Sequence, residues 1–285
     1  MMTTTESMRT AVPMRIGRRS AVAIALVSAI GVLAFVWPLF APPNSALIAH
    51  ASDAPWLFAA LVPLLLVIVL AQLADRDMDA KSIALLGVLA AVIAILRPLG
   101  TGIAGIEPMW VVLILAGRAL GPGFGFALGS ISILASAMIT GGVGPWLPFQ
   151  MLGAAWVGMG AGMLPRNLRG VREIVVLCGY ATVATLAYGF LLNLWFWPFA
   201  MNLPEQIAFA PGAPFAENLA SWWRFNIVTS LGFDLPRAFL TVILIALVGR
   251  PILVALRRIS RIAAFDRPVQ FEEASRPPAP STMVS

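Results

Sequence analysis

Eight long apolar runs decide what this chain can become. They cover residues 20–40, 55–73, 82–99, 108–120, 124–139, 148–164, 174–199 and 227–248. All but the fourth approach the roughly 20 residues that a helix needs to cross a bilayer. Inside hydrocarbon, backbone N–H and C=O groups find no water, so only helices and closed barrels can span it. Barrel strands alternate apolar and polar residues with period two; these runs do not. The expected fold is therefore all-α: a polytopic membrane protein of about eight transmembrane helices. Composition agrees, with 60% hydrophobic and 11% charged residues, where a soluble domain carries about a quarter charged.

The positive charges test the count. With an inner N-terminus, 16 of the 19 Lys and Arg residues fall on inner segments. Arg97 and Arg224 fall on the outer side, and Arg237 lies within the last run. Removing the short fourth run would invert everything after it and destroy that bias, so the positive-inside rule supports eight helices with both termini cytoplasmic. The expected site is the cell membrane. The net charge of +6 is then a matter of membrane orientation and not of nucleic-acid binding. The first run competes with a secretory signal, since ALIAHA at 46–51 offers a cleavage-like end. It is longer than the usual 7–15-residue signal core, which favours a retained helix.

The fifth and sixth runs form an unusual pair. Gly121, Gly125 and Gly129 recur every fourth residue, continued by Ser132, Ser136 and Thr140. Across the intervening turn, Gly158 and Gly162 repeat the spacing, with Ala154 one step earlier. Positions four apart share a helix face, and small residues there let membrane helices pack closely. The segment between, GGVGPWLPFQ at 141–150, carries no charge and turns the chain. It sets Trp146, Phe149 and Gln150 at one mouth of the hairpin.

Several chemistries are excluded. There is no GxxxxGK[ST] loop for ATP hydrolysis and no Ser/His/Asp or paired-carboxylate arrangement for a membrane hydrolase. One histidine, His50, precludes a histidine-cluster metal site. The single cysteine, Cys178, cannot form an internal disulfide and reads as a small core residue. No enzyme activity, metal or cofactor is expected. Asp234 is the only carboxylate well inside a run, fewer than an ion-driven transporter usually needs. Asp234 and Arg237, three apart on one face, are expected to pair, either as a structural ion pair or at the border of a substrate cavity.

Other polar and aromatic residues gather on the expected outer side: Arg97, Glu107, Trp110, Trp146, Gln150, Asn193, Trp195, Trp197, Trp223, Arg224 and Asn226. Each tryptophan alone reads as an interfacial anchor. Together they can wall a pocket for a flat organic molecule. The outer segment 200–224 is the longest such loop, and loops of that length are often functional.

Residues 82–258 resemble the substrate-binding S component of energy-coupling factor (ECF) vitamin transporters. The resemblance is carried by RALGPGFGFALGSISILASAMITGGVGPWLPFQMLGAAWVGMGAGMLP at 118–165 and by FDLPRAFLTVILIALVGRPILVALRR at 233–258. It implies a six-helix core within residues 81–262, preceded by a basic segment at 1–19 and a two-helix extension at 20–80, and followed by a disordered tail at 263–285. It also implies a division of labour: the S component captures a vitamin or related micronutrient from outside and docks on a transmembrane T subunit carrying two ATPases. An Ala-xxx-Ala face on the first core helix would contact the T subunit, which points to Ala90 and Ala94, with Gly87 and Ala91 as the adjacent small pair. Ala21, Ala25 and Ala29 on the first helix compete for that role. The ligand pocket would use Trp146, Gln150, Asn193 and Trp197, with Arg97, Trp110, Asp234 and Arg237 as further contacts. The GPWLPFQM turn is most similar to members associated with corrinoids or other large ring vitamins; riboflavin and queuosine-type precursors stay open. The alternatives are a stand-alone secondary transporter and a structural or assembly membrane protein without ligand.

Overall fold

The computed structural model describes residues 18–43, 80–100 and 105–264. Among these residues the chain is helical and forms no strand. The α-helices are α1 (Arg18–Val36), α2 (Ala80–Leu96), α3 (Met109–Leu120), α4 (Pro122–Thr140), α5 (Leu147–Met163), α6 (Gly170–Phe196), α7 (Phe215–Thr229) and α8 (Leu231–Ala264). The run at 55–73, His50 and the two termini lie outside the described residues. The other seven expected runs each coincide with a helix.

Among the described residues, five apolar stretches are long enough to cross a membrane: Ser20–Phe40, Lys81–Gly100, Pro122–Thr140, Gly170–Phe199 and Leu231–Ile259. The protein is a multi-pass membrane protein. Helix α3 has only 12 residues and ten of them are buried. At 1.5 Å per residue it covers about 18 Å, and its short length is tolerable because its neighbours enclose it.

The bundle is organised on the α4–α5 pair. Gly125 packs against the backbone of Gly158, Gly129 against that of Ala154, and Gly162 against Gly121 and Pro122. The seam continues onto α3, where Gly117 also meets the Gly158 carbonyl. A methyl group at any of these glycines would collide with main chain, which cannot move aside as a flexible side chain does. The four-residue repeats thus do bring backbones together, as small residues permit. Gly141 closes α4 with a φ of 66° and no neighbour near a would-be side chain. That left-handed stop is the usual glycine C-cap.

Helix α2 packs on α4, α3 on α5 and α8, and α8 along α6. Helix α1 leans on α5 and α6. Its Phe35 meets Phe149 edge-on at 4.9 Å, and its Ser28 accepts a hydrogen bond from Trp156 Nε1 at 2.9 Å.

The segment expected as one long loop holds a helix. Helix α7 occupies its second half, and α8 begins at Leu231 rather than within a span starting at 227. Asn218 stabilises the approach to α7 by bonding both N–H and C=O of Ala210, at 3.2 and 2.9 Å. With Glu217, Asn218, Ser221, Arg224 and Asn226 along it, α7 is too polar to register as a spanning run. Alternating helix directions bring Arg97, Glu107, Gln150, Asn193 and Asp234 to one end of the bundle, here the upper end. Arg118, Glu173 and Arg257 meet at the lower end.

Candidate functional site

The upper-end site begins with a close backbone approach. Gly105, at φ 71°, lies directly on the Phe233 carbonyl and near the Arg237 amide. Only a glycine fits there, both for its φ and for the lack of space. That contact delivers Glu107 to α8. Arg237 Nε donates to Glu107 Oε2 at 3.1 Å, and Nη2 donates to Oε1 at 3.3 Å. Trp110 Nε1 also donates to Glu107 Oε2, at 2.6 Å.

Asp234 completes the cluster. The amides of Phe233 and Asp234 both bond Ser230 O at 2.9 Å, which starts α8 and sets Asp234 in its first turn. A carboxylate there is favoured by the helix dipole. Arg237 Nη1 donates to Asp234 Oδ1 at 2.6 Å. Asp234 is 2% exposed, and its Oδ2 is buried with no hydrogen-bond partner. Its carboxylate rests on the bare Cα of Gly189 in α6. The expected Asp234–Arg237 pair therefore exists, but Arg237 bridges two carboxylates and not one.

At the same end, Arg97 Nη2 donates to Gln150 Oε1 at 2.7 Å and Nη1 to Ser136 Oγ at 3.3 Å. Both partners are neutral. Tyr188 stands between the two groups. Its ring packs on Gly153, one turn beyond Gln150, and meets Trp110 edge-on at 4.5 Å. The Arg237 guanidinium sits 5.7 Å from the Tyr188 ring centroid, a cation–π distance. Five of the eight expected contact residues, Arg97, Trp110, Gln150, Asp234 and Arg237, thus join through Glu107, Ser136 and Tyr188.

The other three have local partners. Trp146 is 41% exposed and folds back over its own turn, packing on Gly144 and donating from Nε1 to Gly142 O at 3.2 Å. Gln150 belongs to the first turn of α5 and faces Arg97, so the indole and the amide part company. Trp197 is fully buried, donates to Ile207 O at 2.7 Å and meets Phe209 at 5.3 Å. It holds down the segment after α6. Asn193 donates to Asn226 Oδ1 at 2.7 Å and Ser230 Oγ at 2.5 Å, tying α6 to the α7–α8 junction. On α2, Ala90 and Ala94 are buried within the bundle, while Gly87 and Ala91 are exposed. In this arrangement the expected Ala90–Ala94 face is packed inside the chain, and the small pair left open is Gly87 and Ala91. Ala21, Ala25 and Ala29 of α1 are exposed as well.

Sequence reasoning missed Tyr188, one of four hydroxyl residues in the run 174–199 with no spacing to set it apart, and noted Ser136 only as a small residue. It also missed the lower-end cluster. There Arg118 Nε donates to Glu173 Oε1 at 2.7 Å, and Arg257 donates to both Glu173 oxygens, at 3.0 and 2.5 Å. Arg118 also holds the carbonyls of Leu164 and Pro165, at 2.8 and 3.0 Å. The available signal was a single glutamate at the start of an otherwise apolar helix.

A membrane-embedded helical bundle with one polar, aromatic cluster at one end belongs to the class of proteins that bind a small molecule within or across a bilayer. Residues 81–249 match the family described as ECF transporter, substrate-specific component, and with more than half of the chain covered, the protein belongs to that family. It is a substrate-binding membrane component of a transporter. Helix α1 lies before the matched region. No curated protein and no solved structure matches the chain.

Proposed function

We propose that this protein captures a vitamin or related micronutrient at the upper end of its bundle and delivers it through a T subunit energised by two ATPases. The observation that carries this reading is the convergence of Arg97, Gln150, Tyr188, Trp110, Glu107, Asp234 and Arg237 from five helices and one loop. Buried charges inside a membrane protein are costly and tend to mark substrate paths. In this reading the membrane is the cell membrane, the upper end faces outward and both termini are cytoplasmic, an orientation that the charge bias supports. A ring compound suits the aromatic walls.

The partner surface in this reading is the open side of α2 around Gly87 and Ala91, where small side chains let another helix approach. Ala91→Leu is the direct probe. Transport and co-purification with the T subunit should fall while the bundle stays folded, because Ala91 is exposed. The function as a whole is tested by uptake in cells expressing the protein with and without T and ATPase subunits. Accumulation is expected only with the complete set. Gradient-driven accumulation by the protein alone in liposomes would replace this reading with a stand-alone secondary transporter.

A further inference from the structure

We propose, resting on the capture reading above, that the transported molecule is bipolar: an acidic group lies on Arg97, and an N–H donor or cationic nitrogen meets Asp234. Two asymmetries at the upper end support this. The Glu107–Arg237–Asp234 group holds two carboxylates for one guanidinium, an excess of one negative charge. Its Glu107 oxygens are both bonded, and the Asp234 Oδ2 alone is buried without a donor. Ser130 Oγ, Trp195 Nε1 and Trp222 Nε1 are also buried and unpartnered, but they are neutral, and an unmet charge costs more than an unmet dipole.

Arg97 shows the opposite imbalance. Arg118, Arg237 and Arg257 each bond a carboxylate. Arg97 is also half-buried, yet it bonds only an amide and a hydroxyl. Its planar fork suits bidentate recognition of a carboxylate or phosphate. The rings of Trp110 and Tyr188, 4.5 Å apart, belong to the same cluster, Trp110 bonded to Glu107 and Tyr188 against Arg237. A molecule with acid at one end and nitrogen at the other satisfies both charges at once. A molecule without an acidic group leaves Arg97 unmet, and one without an N–H donor or cationic nitrogen leaves Asp234 unmet.

The test starts from the full-length protein, purified in mild detergent from cells grown in rich medium. Small molecules released on denaturation are identified by mass spectrometry, beside an unrelated membrane protein as control. The expected released molecule carries both an acid and an N–H or cationic nitrogen. Arg97→Gln and Asp234→Asn should each retain about tenfold less of it, in line with the loss of a charge-assisted bond. Arg97→Lys, which keeps the charge and loses the fork, should retain an intermediate amount and serves where Arg97→Gln does not fold. A released molecule lacking an acid overturns the bipolar inference and leaves the capture reading standing. Undiminished retention by folded Arg97 and Asp234 variants also overturns it. If the wild-type protein releases nothing above the control, the capture reading falls, and the inference with it.

Discussion

The lower end of the bundle sets one carboxylate between two guanidinium groups; the upper end sets one guanidinium between two carboxylates. At the lower end α3, α6 and α8 supply one member each; at the upper end α8 supplies two and the loop before α3 the third. At the lower end each Glu173 oxygen has a partner, and Arg118 spends its remaining donors on loop carbonyls. At the upper end Asp234 Oδ2 has none. A satisfied buried cluster holds helices in register. An unsatisfied one leaves a buried charge without its full set of donors. In the proposed reading the difference separates a fastening from a binding site, though the residue types are alike.

The largest effect should come from breaking the fastening. Glu173→Gln leaves Arg118 and Arg257 without a counter-charge, and removing one member of a buried pair costs about 3–5 kcal/mol. Heating followed by size-exclusion chromatography should show a large loss of folded protein. Near-wild-type survival would mean that the lower cluster is no lock. A smaller loss is expected for Glu107→Gln. Arg237 keeps Asp234, and the cost should be about 1–3 kcal/mol, as for an imperfectly met buried group.

Asp234→Asn sharpens the comparison further. The amide oxygen still accepts from Arg237, and the uncompensated charge disappears. Stability should stay within about 1 kcal/mol of wild type, the size of one net hydrogen bond, while substrate retention falls. A stability loss as large as that of Glu173→Gln would make the two ends equivalent and remove the argument. The smallest effect belongs to Trp146→Ala. Its side chain is exposed and bonds only its own turn, so both stability and retention should change little, within about 0.5 kcal/mol. A clear loss of retention would bring the turn back into the site.

Much of the fold was legible because the bilayer leaves so few options. Apolar length marked the helices, and the four-residue glycine repeat marked where two of them touch. Helix α7 escaped because its burial rests on Asn218, Ser221 and Asn226, which a hydropathy reading counts as loop. The site was legible residue by residue but not as a grouping. Arg97, Gln150 and Asp234 were visible as polar residues near helix ends. That Arg97 chooses Gln150, 53 positions on, depends on how α2 and α5 meet around α4. Tyr188 was hidden because it is one of four hydroxyl residues in a long apolar helix, and nothing in its spacing singles it out. Trp146 and Trp197 are the opposite case: each is conspicuous in the sequence, and each indole bonds a nearby carbonyl.

The glycine seam has a mechanical consequence. Where carbonyls of one helix occupy the space a methyl group would need on the other, α4 and α5 cannot slide past each other. The two helices therefore move as one beam. If the molecule changes shape during a transport cycle, the strain must be taken up elsewhere, and α8 is built to yield, with Pro236 and Pro251 interrupting its hydrogen-bond ladder.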